Sequence, residues 1–119
     1  VSLLYEKSQW FITMGDYSAS LDWIDKARRE FQSLTYKSPY LEAVLTHGRG
    51  LSLYHCERLP EAHQHLYDAL KIWRGLNNEF NIALALNALA ATETKLKQPE
   101  SALRWLEMAR EICSTLEYL

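Results

Sequence analysis

The sequence is poor in the residues that interrupt regular structure. Only four glycines and three prolines are spread over 119 residues, so long regular elements are expected. No alternating apolar pattern bounded by hairpin turns, which would indicate β-strands, occurs along the chain. Hydrophobic residues make up 48% of the sequence and charged residues 24%, which is typical of a folded domain and argues against disorder.

Long apolar runs, cysteine pairs and an excess of one charge are also lacking. The net charge of −2 provides no basic stripe for a phosphate backbone, and we interpret Arg28–Arg29 and Lys95/Lys97 as solvated helix faces. No stretch approaches the ~18 apolar residues of a membrane span. Cys56 and Cys113 lack CxxC spacing, which favours free thiols in a reducing cytosol. We therefore expect a cytoplasmic protein with no direct nucleic-acid or membrane partner.

A threefold internal repeat is the strongest pattern in the sequence. Ala27, Ala69 and Ala109 correspond, at steps of 42 and 40 residues. We call such a set of corresponding positions a column. The other columns in register are Ser20/Ala62/Ala102, Trp23/His65/Trp105, Ile24/Leu66/Leu106, Phe31/Trp73/Cys113 and Leu34/Leu76/Leu116. Small residues seven positions apart lie on one face of a helix and allow close approach of a neighbour, so each copy predicts a closely packed helix.

Each copy is preceded by a second helical stretch. Apolar residues recur at helical spacing from about Leu3 to Met14, from Tyr40 to Glu57 and from Phe80 to Leu96. Helix-punctuating residues separate the stretches: prolines tolerated in a first turn, a capping aspartate and a helix-breaking run. These are Pro39, Pro60, Pro99, Asp16 and Gly75–Asn78. The prediction is an all-α fold of six helices in three helix-turn-helix hairpins, with repeats at about 1–36, 39–76 and 78–119.

These hairpins resemble the tetratricopeptide repeat family over essentially the whole chain. In the first copy, Gly15–Tyr17, Ser20–Leu21, Ile24 and Ala27 follow the family pattern G-x-Y…A-L…Y…A. Leu86–Ala90 is similar to the family run L-x-x-L-G, with Ala in place of Gly. The family period is ~34 residues and the period here is about 40, so the helices or connections are expected to be longer. The resemblance implies a right-handed α-solenoid in a single domain, 1–119.

The longer repeat is similar to those of bacterial regulators, including large LuxR-type transcription activators of the maltose-activator kind and repeat-bearing diguanylate cyclases and sensor kinases. This resemblance implies a protein-interaction or scaffold module of a larger bacterial regulatory or signalling protein, with a protein or peptide partner. The alternative is a sensory domain that binds a peptide or small-molecule signal and controls an attached effector domain. The first residue, Val1 rather than Met, favours a piece excised from a longer protein.

In this family the first helix of each hairpin lines a concave surface. The resemblance therefore implies a partner-binding groove on the first, third and fifth helices. Its predicted residues are Tyr5, Gln9, Thr13, His47, Leu51, Tyr54, His55, Asn87, Ala91, Thr94 and Lys95. For Leu51 and Tyr54 a purely structural place in the core is an equally open interpretation.

The carboxylate clamp of the chaperone-binding members of the family is absent. The matching positions hold Tyr5, Gln9, Gly48, Leu84 and Ala88 instead of basic and asparagine residues. Binding of acidic chaperone tails is therefore not expected.

Catalytic and metal-binding patterns are lacking as well. His47 and His55 are eight residues apart, and His63 and His65 project to different sides of a helix, whereas helical metal ligands prefer i and i+4. Adjacent residues such as His55 and Cys56 project about 100° apart on a helix and make a poor nucleophile–base pair. We expect no enzymatic activity, no cofactor and no metal.

The tryptophans and the last helix bear on self-association. Trp10, Trp23, Trp73 and Trp105 are predicted to lie mainly in the core, with an exposed partner patch as the alternative. The last helix is too apolar for the polar cap of a solenoid. Its apolar residues are Leu103, Leu106, Ile112, Leu116 and Leu119. We expect this end to be covered by a further repeat or by a second copy in a homodimer.

Overall fold

Six α-helices form the computed structural model, which describes residues 1–117. They are α1 (Ser2–Met14), α2 (Tyr17–Gln32), α3 (Pro39–His55), α4 (Leu59–Gly75), α5 (Glu79–Lys95) and α6 (Pro99–Glu117). No strand occurs in the part of the chain that the structure describes. The predicted all-α fold is confirmed, and Leu119, predicted to lie on the apolar last helix, is outside the described residues.

The helices begin where side chains can cap them. Asp16 Oδ1 accepts a hydrogen bond from the Ala19 amide at 3.2 Å, which is the predicted cap of α2. Asn78 Oδ1 accepts one from the Asn81 amide at 3.1 Å at the start of α5. Each side chain satisfies an amide that has no partner within its helix.

Four of the helices, α1, α3, α4 and α5, end in the same kind of turn. Gly15, Glu57, Asn77 and Lys97 adopt left-handed backbone conformations, with φ of 82°, 62°, 53° and 62°. The residue that follows each left-handed residue donates its amide to a carbonyl five positions before it, in the helix that ends there. Arg58, for example, donates to Leu53 O at 2.9 Å. Helices α3, α4 and α5 have 17 residues each, so longer helices rather than longer turns account for the 40-residue step between the second and third copies.

The hairpins α1–α2, α3–α4 and α5–α6 stack in sequence, with α2 against α3 and α4 against α5. The first helices also approach one another, since α1 contacts α3 and α3 contacts α5. Within residues 1–117 no comparable approach joins α2 to α4 or α4 to α6. The first helices therefore form the tighter, inner layer of a helical-repeat solenoid.

The predicted small-residue column lies in the core. Ala27, Ala69 and Ala109 are all buried, and so are Ile24 and Leu66 between the small positions of the first two hairpins. These side chains belong to two apolar clusters, one around α2 and the other around α4 and α5. The repeat pattern thus specifies the packing between neighbouring helices.

A string of three buried serines joins the first three helices. Ser20 Oγ lies 2.7 Å from Ser52 Oγ and 3.3 Å from Ser8 Oγ, and all three side chains are fully buried. Each hydroxyl has a hydrogen-bond partner, so this polar contact between α1, α2 and α3 is satisfied.

The prediction that the tryptophans lie in the core is correct for Trp73, which is buried, and wrong for Trp10, whose side chain is 57% exposed. When α1, α3 and α5 are aligned on the left-handed residues that follow them, Gly15, Glu57 and Lys97, Trp10 falls in the column of Ser52 and Thr92. That column faces the preceding hairpin, and no helix of the structure packs on this side of α1. Trp23 and Trp105 are half-buried.

Candidate partner-binding groove

The inner helices present matching stripes on the concave face. Val44, His47 and Leu51 follow one another at helical spacing on α3, and 40 residues later Leu84, Asn87 and Ala91 occupy the same columns of α5. Steps of three and four residues keep each stripe on one side of its helix. The two stripes form the walls of a shallow groove.

Close contact between α1 and α3 brings Tyr5 into this groove. A Cβ added to Gly48 would lie 3.1 Å from Tyr5 Cε2 and 3.2 Å from Ile24 Cδ1. Glycine at this position therefore lets the Tyr5 ring and the core residue Ile24 approach the α3 backbone together. Burial raises the pKa of the Tyr5 hydroxyl, with the nearby Tyr40 as a second cause, so Tyr5 is neutral at physiological pH.

A pocket of about 200 Å³ opens between the stripes. It is lined by Tyr5, Val44, His47, Leu51, Trp73, Asn81 and Leu84. Three of these lining residues, Tyr5, His47 and Leu51, are among the predicted groove residues. The lining is mainly apolar, with His47 and Asn81 as the polar groups able to orient a bound side chain.

Sequence reasoning missed four lining residues. Val44 and Leu84 lie one helical turn before the columns of His47 and Asn87, so the period of 3.6 could have found them. Trp73 was assigned to the core, and it is indeed buried, but it also lines the pocket from α4. No pattern in the sequence points to Asn81.

Two buried polar atoms near the groove have no hydrogen-bond partner within residues 1–117: Gln9 Nε2 and His47 Nδ1. Burial lowers the pKa of His47 from 6.5 to about 4, so its imidazole is neutral at pH 7. Buried polar atoms without a hydrogen-bond partner cost free energy.

Three predicted residues lie beyond the pocket, at the C-terminal ends of α3 and α5. Lys95 Nζ lies 4.1 Å from the centre of the Tyr54 ring and donates a hydrogen bond to Glu57 at 2.9 Å. The His55 ring stacks on Tyr17, with 4.6 Å between ring centres. Burial, and next Lys95, lower the pKa of His55. Because these side chains contact one another, they form a separate cluster at the edge of the groove.

The remaining predicted residues do not contact the pocket. Thr13 and Thr94 are exposed, and their hydroxyls donate to carbonyls of their own helices, Gln9 O at 3.2 Å and Ala90 O at 2.8 Å. Asn87 is exposed and Ala91 is half-buried. Their columns continue the α5 wall past the pocket, so the predicted surface is longer than the pocket itself.

The other histidines are engaged in polar contacts between helices. His63 Nε2 donates to Glu93 Oε1 at 3.1 Å, between α4 and α5. His65, in the column of Trp23 and Trp105, accepts a hydrogen bond at its Nε2 from Arg49 Nη1 at 3.1 Å. No group of three potential ligands that could hold a metal occurs within residues 1–117.

Cys56 and Cys113 are both free thiols. Burial raises the pKa of the Cys56 thiol, which is opposite to the change that activates a nucleophilic cysteine. None of the six helices has the length and apolar character needed to cross a bilayer in the part of the chain described.

The last helix has an uncovered apolar face. Leu106 is 45% exposed, whereas Ile24 and Leu66 in the same column are fully buried. The first helix of the next hairpin covers α2 and α4, but within residues 1–117 no helix follows α6 to cover the corresponding face. Leu103 is also exposed, while Ile112 and Leu116 are half-buried.

Helical hairpins stacked in sequence, with their first helices in an inner layer, are the architecture of a helical-repeat protein. A family model for the tetratricopeptide repeat matches residues 40–115, which is more than half of the chain, and the chain belongs to this family. Such repeats generally mediate protein–protein interaction, and the fold is typically a non-catalytic module. A comparison with curated proteins gives no match.

Proposed function

We propose that the chain binds a peptide segment of a protein partner in the groove between α1, α3 and α5, with one side chain of the peptide held in the pocket. The observation that carries this proposal is the pocket of about 200 Å³, in which Tyr5, His47 and Leu51 meet Trp73 and Leu84. Rigid helices hold these groups, so little ordering is needed on the protein side when a peptide binds.

The size of the pocket favours a peptide over a free small-molecule signal. Small-molecule sites usually enclose about 300–1,000 Å³, and this pocket has about 200 Å³. A wider pocket that included Tyr54 and His55 would favour the sensory alternative, but these two contact Lys95 and Tyr17 instead. A pocket of this size suits a single side chain whose backbone runs along the groove.

The lining chemistry favours an apolar anchor with one hydrogen-bonding group. Val44, Leu51, Trp73 and Leu84 supply apolar surface, and no charged side chain of residues 1–117 lines the pocket. Because the pKa of His47 is lowered to about 4, the histidine offers one neutral hydrogen-bonding nitrogen rather than a cation. A charged anchor would lose its hydration without gaining a counter-ion.

The wider setting that we propose is a scaffold module of a larger bacterial regulatory or signalling protein in the cytoplasm. The period of about 40 residues and its likeness to repeats of bacterial regulators support this setting. A sensory role, in which an occupied groove controls an attached effector domain, is the second candidate and would use the same surface.

We also propose that two copies associate through α6. The exposed Leu103 and Leu106 support this interface, because their equivalents in other hairpins are more buried. Arg104 and Arg110 alternate with Glu107 along the same helix, so two antiparallel copies of α6 could pair opposite charges around an apolar centre.

The groove proposal is tested by selecting peptides from a displayed random dodecapeptide library and measuring their affinity by calorimetry. Leu84→Glu places a charge at the pocket, and we expect it to weaken selected peptides at least tenfold. Leu3→Glu is the matched control, since Leu3 is an exposed leucine on α1 that does not line the pocket. Equal loss in both variants, or none in Leu84→Glu, would contradict a peptide site at the pocket.

A further inference from the structure

Two arginines occupy columns that are buried leucines elsewhere in the repeat. Arg28 on α2 corresponds to Leu70 on α4, 42 residues later, and Arg49 on α3 corresponds to Leu89 on α5, 40 residues later. Leu70 and Leu89 are fully buried in the same apolar cluster at the α4–α5 contact. The equivalent α2–α3 contact therefore replaces an apolar contact by two like charges.

These arginines line a pocket of about 280 Å³ between α2 and α3. Its lining residues are Asp25, Arg28, Arg29, Gln32 and Arg49. On α2, four of them fall within two helical turns, so their side chains can converge on one place next to Arg49. Arg49 is two residues from both His47 and Leu51, about 200° around α3, so this pocket faces away from the peptide groove.

Arg49 is already held in place by its neighbours. Its Nε donates to Asp25 Oδ1 at 2.7 Å, and its Nη1 donates to His65 Nε2 at 3.1 Å. His65 Nδ1 in turn donates to the Glu61 carbonyl at 2.9 Å. The Arg49 side chain is only 16% exposed, so it is a fixed group and not a mobile surface arginine.

The other two guanidinium groups of this pocket belong to Arg28 and Arg29. Within residues 1–117, Arg28 and Arg29 make no ion pair or side-chain hydrogen bond, and Gln32 lies one turn after Arg28 on the same face. Burial, and next the charge of Arg49, lower the pKa of Arg28, while Asp25 acts in the opposite direction. The repulsion between Arg28 and Arg49 is therefore only partly compensated by the protein.

We propose that this pocket binds a phosphate group, either free inorganic phosphate or the phosphomonoester of a phosphorylated molecule. Three guanidinium groups and one carboxylate leave a local charge of about +2, which a phosphate dianion would balance and a single carboxylate would not. Guanidinium groups bind phosphate oxygens through paired N–H donors, and Arg28 and Arg29 have theirs free. The Gln32 amide adds a neutral donor for a third oxygen.

The test uses the whole chain and three probes at constant ionic strength: inorganic phosphate, phenyl phosphate and a short phosphoserine peptide. We expect phosphate to raise the Tm and to give a calorimetric binding signal that sodium chloride at the same ionic strength does not. Phenyl phosphate or the phosphopeptide binding more tightly than inorganic phosphate would identify a phosphorylated molecule as the source. Equal affinity for all three would identify free phosphate.

Matched variants separate a pocket from general charge effects. Arg28→Leu restores the residue of the second hairpin and should fold, and we expect it to weaken phosphate binding at least tenfold. Arg29→Gln removes the second unpaired guanidinium and should also weaken binding. Arg74→Gln removes an exposed arginine of α4 that does not line the pocket, and should bind phosphate as the natural chain does.

The proposal is overturned if chloride stabilises the chain as much as phosphate does, or if Arg28→Leu and Arg29→Gln both bind phosphate unchanged. It is also overturned if Arg74→Gln weakens binding as much as Arg28→Leu. Because this pocket lies on the opposite side of α3 from the peptide groove, its failure would leave the proposed function untouched.

Discussion

Gly50 on α3 lies so close to Leu66 on α4 that a Cβ added to Gly50 would be 2.8 Å from Leu66 Cγ. The same atom would lie 3.3 Å from the Leu66 backbone nitrogen, so a rotation of the leucine side chain would still leave a tight contact with the backbone. Both residues are buried, and the contact fixes how closely the two helices of the second hairpin approach.

Gly50→Ala is therefore expected to lower the free energy of unfolding. Overpacking costs about 1–3 kcal/mol, and the better helix propensity of alanine returns about 0.5–1 kcal/mol; the middle values of these ranges leave a net loss of about 1 kcal/mol. Urea unfolding measures it. Gly75→Ala is the control, because a Cβ there meets nothing within 4 Å, and it should stabilise the chain by about 0.5 kcal/mol. A Gly50→Ala chain as stable as the natural one would contradict a close α3–α4 contact.

The fold was predictable because its determinants are local and repeated. Asp16, Pro39 and Asn78 each mark a helix start through side-chain or backbone chemistry that operates within one turn. The column Ala27/Ala69/Ala109 predicted the buried contact between helices, because a small residue that recurs about every 40 positions allows neighbouring helices to pack closely. Exposure of Trp10 was not predictable in the same way, because it depends on which face of α1 has a neighbour.

A second prediction concerns pH. The pKa of His47 is lowered from 6.5 to about 4 by burial, so below pH 6.5 the unfolded chain binds a proton that the folded chain does not. Stability contributed by the neutral histidine is present at pH 7 and is lost as the pH falls from about 6.5 towards 4. The loss attributable to His47 between pH 7 and pH 4.5 should be about 2 kcal/mol.

His47→Asn isolates this effect, because asparagine is the residue of the same column on α5, Asn87, and does not titrate. Urea unfolding at pH 7 and 4.5 should show a smaller acid loss for the variant than for the natural chain, by about 2 kcal/mol. His65→Asn serves as the control, because no buried unpaired nitrogen is involved there. Equal acid sensitivity of all three chains would contradict a lowered pKa of His47 in the folded chain.

The groove was harder to predict than the fold. Tyr5, His47 and Leu51 were identified from the concave helices, but Asn81 and Trp73 enter the pocket through the stacking of α4 and α5, which no local pattern encodes. The chain-wide repeat could predict a surface, but the pocket depends on where individual columns depart from the repeat. The same holds for the pocket at Arg28 and Arg49. These two residues stand out only when they are compared with Leu70 and Leu89, which occupy their columns in the next hairpins.

A third prediction follows from the proposed α6 interface. Leu106→Glu should convert a dimer to a monomer in size-exclusion chromatography with light scattering, because it introduces a charge at the apolar centre of the interface. The monomer itself should lose less than about 1 kcal/mol of stability, since Leu106 is 45% exposed. Leu3→Glu changes an exposed leucine of α1 and should leave association unchanged. If the natural chain remains monomeric at protein concentrations of hundreds of micromolar, the proposed α6 interface is wrong.

The last prediction concerns Glu93, a buried carboxylate on α5 whose Oε2 has no hydrogen-bond partner within residues 1–117. Its Oε1 accepts a hydrogen bond from His63. Because His63 is about one-third exposed, water can replace the carboxylate as its hydrogen-bond partner. The corresponding residue on α3 is Leu53, fully buried. Replacing a buried, incompletely satisfied charge by an apolar residue of similar size is often neutral or stabilising.

Glu93→Leu should therefore raise the free energy of unfolding by about 1 kcal/mol at pH 7, measured by urea unfolding. Glu93→Gln is the matched comparison: it keeps the size and polarity but removes the charge, and it should gain less than Glu93→Leu because its amide remains only partly hydrogen-bonded. A loss of more than 1 kcal/mol in Glu93→Leu would mean that the His63–Glu93 pair stabilises the α4–α5 contact. In that case His63→Leu should cause a similar loss.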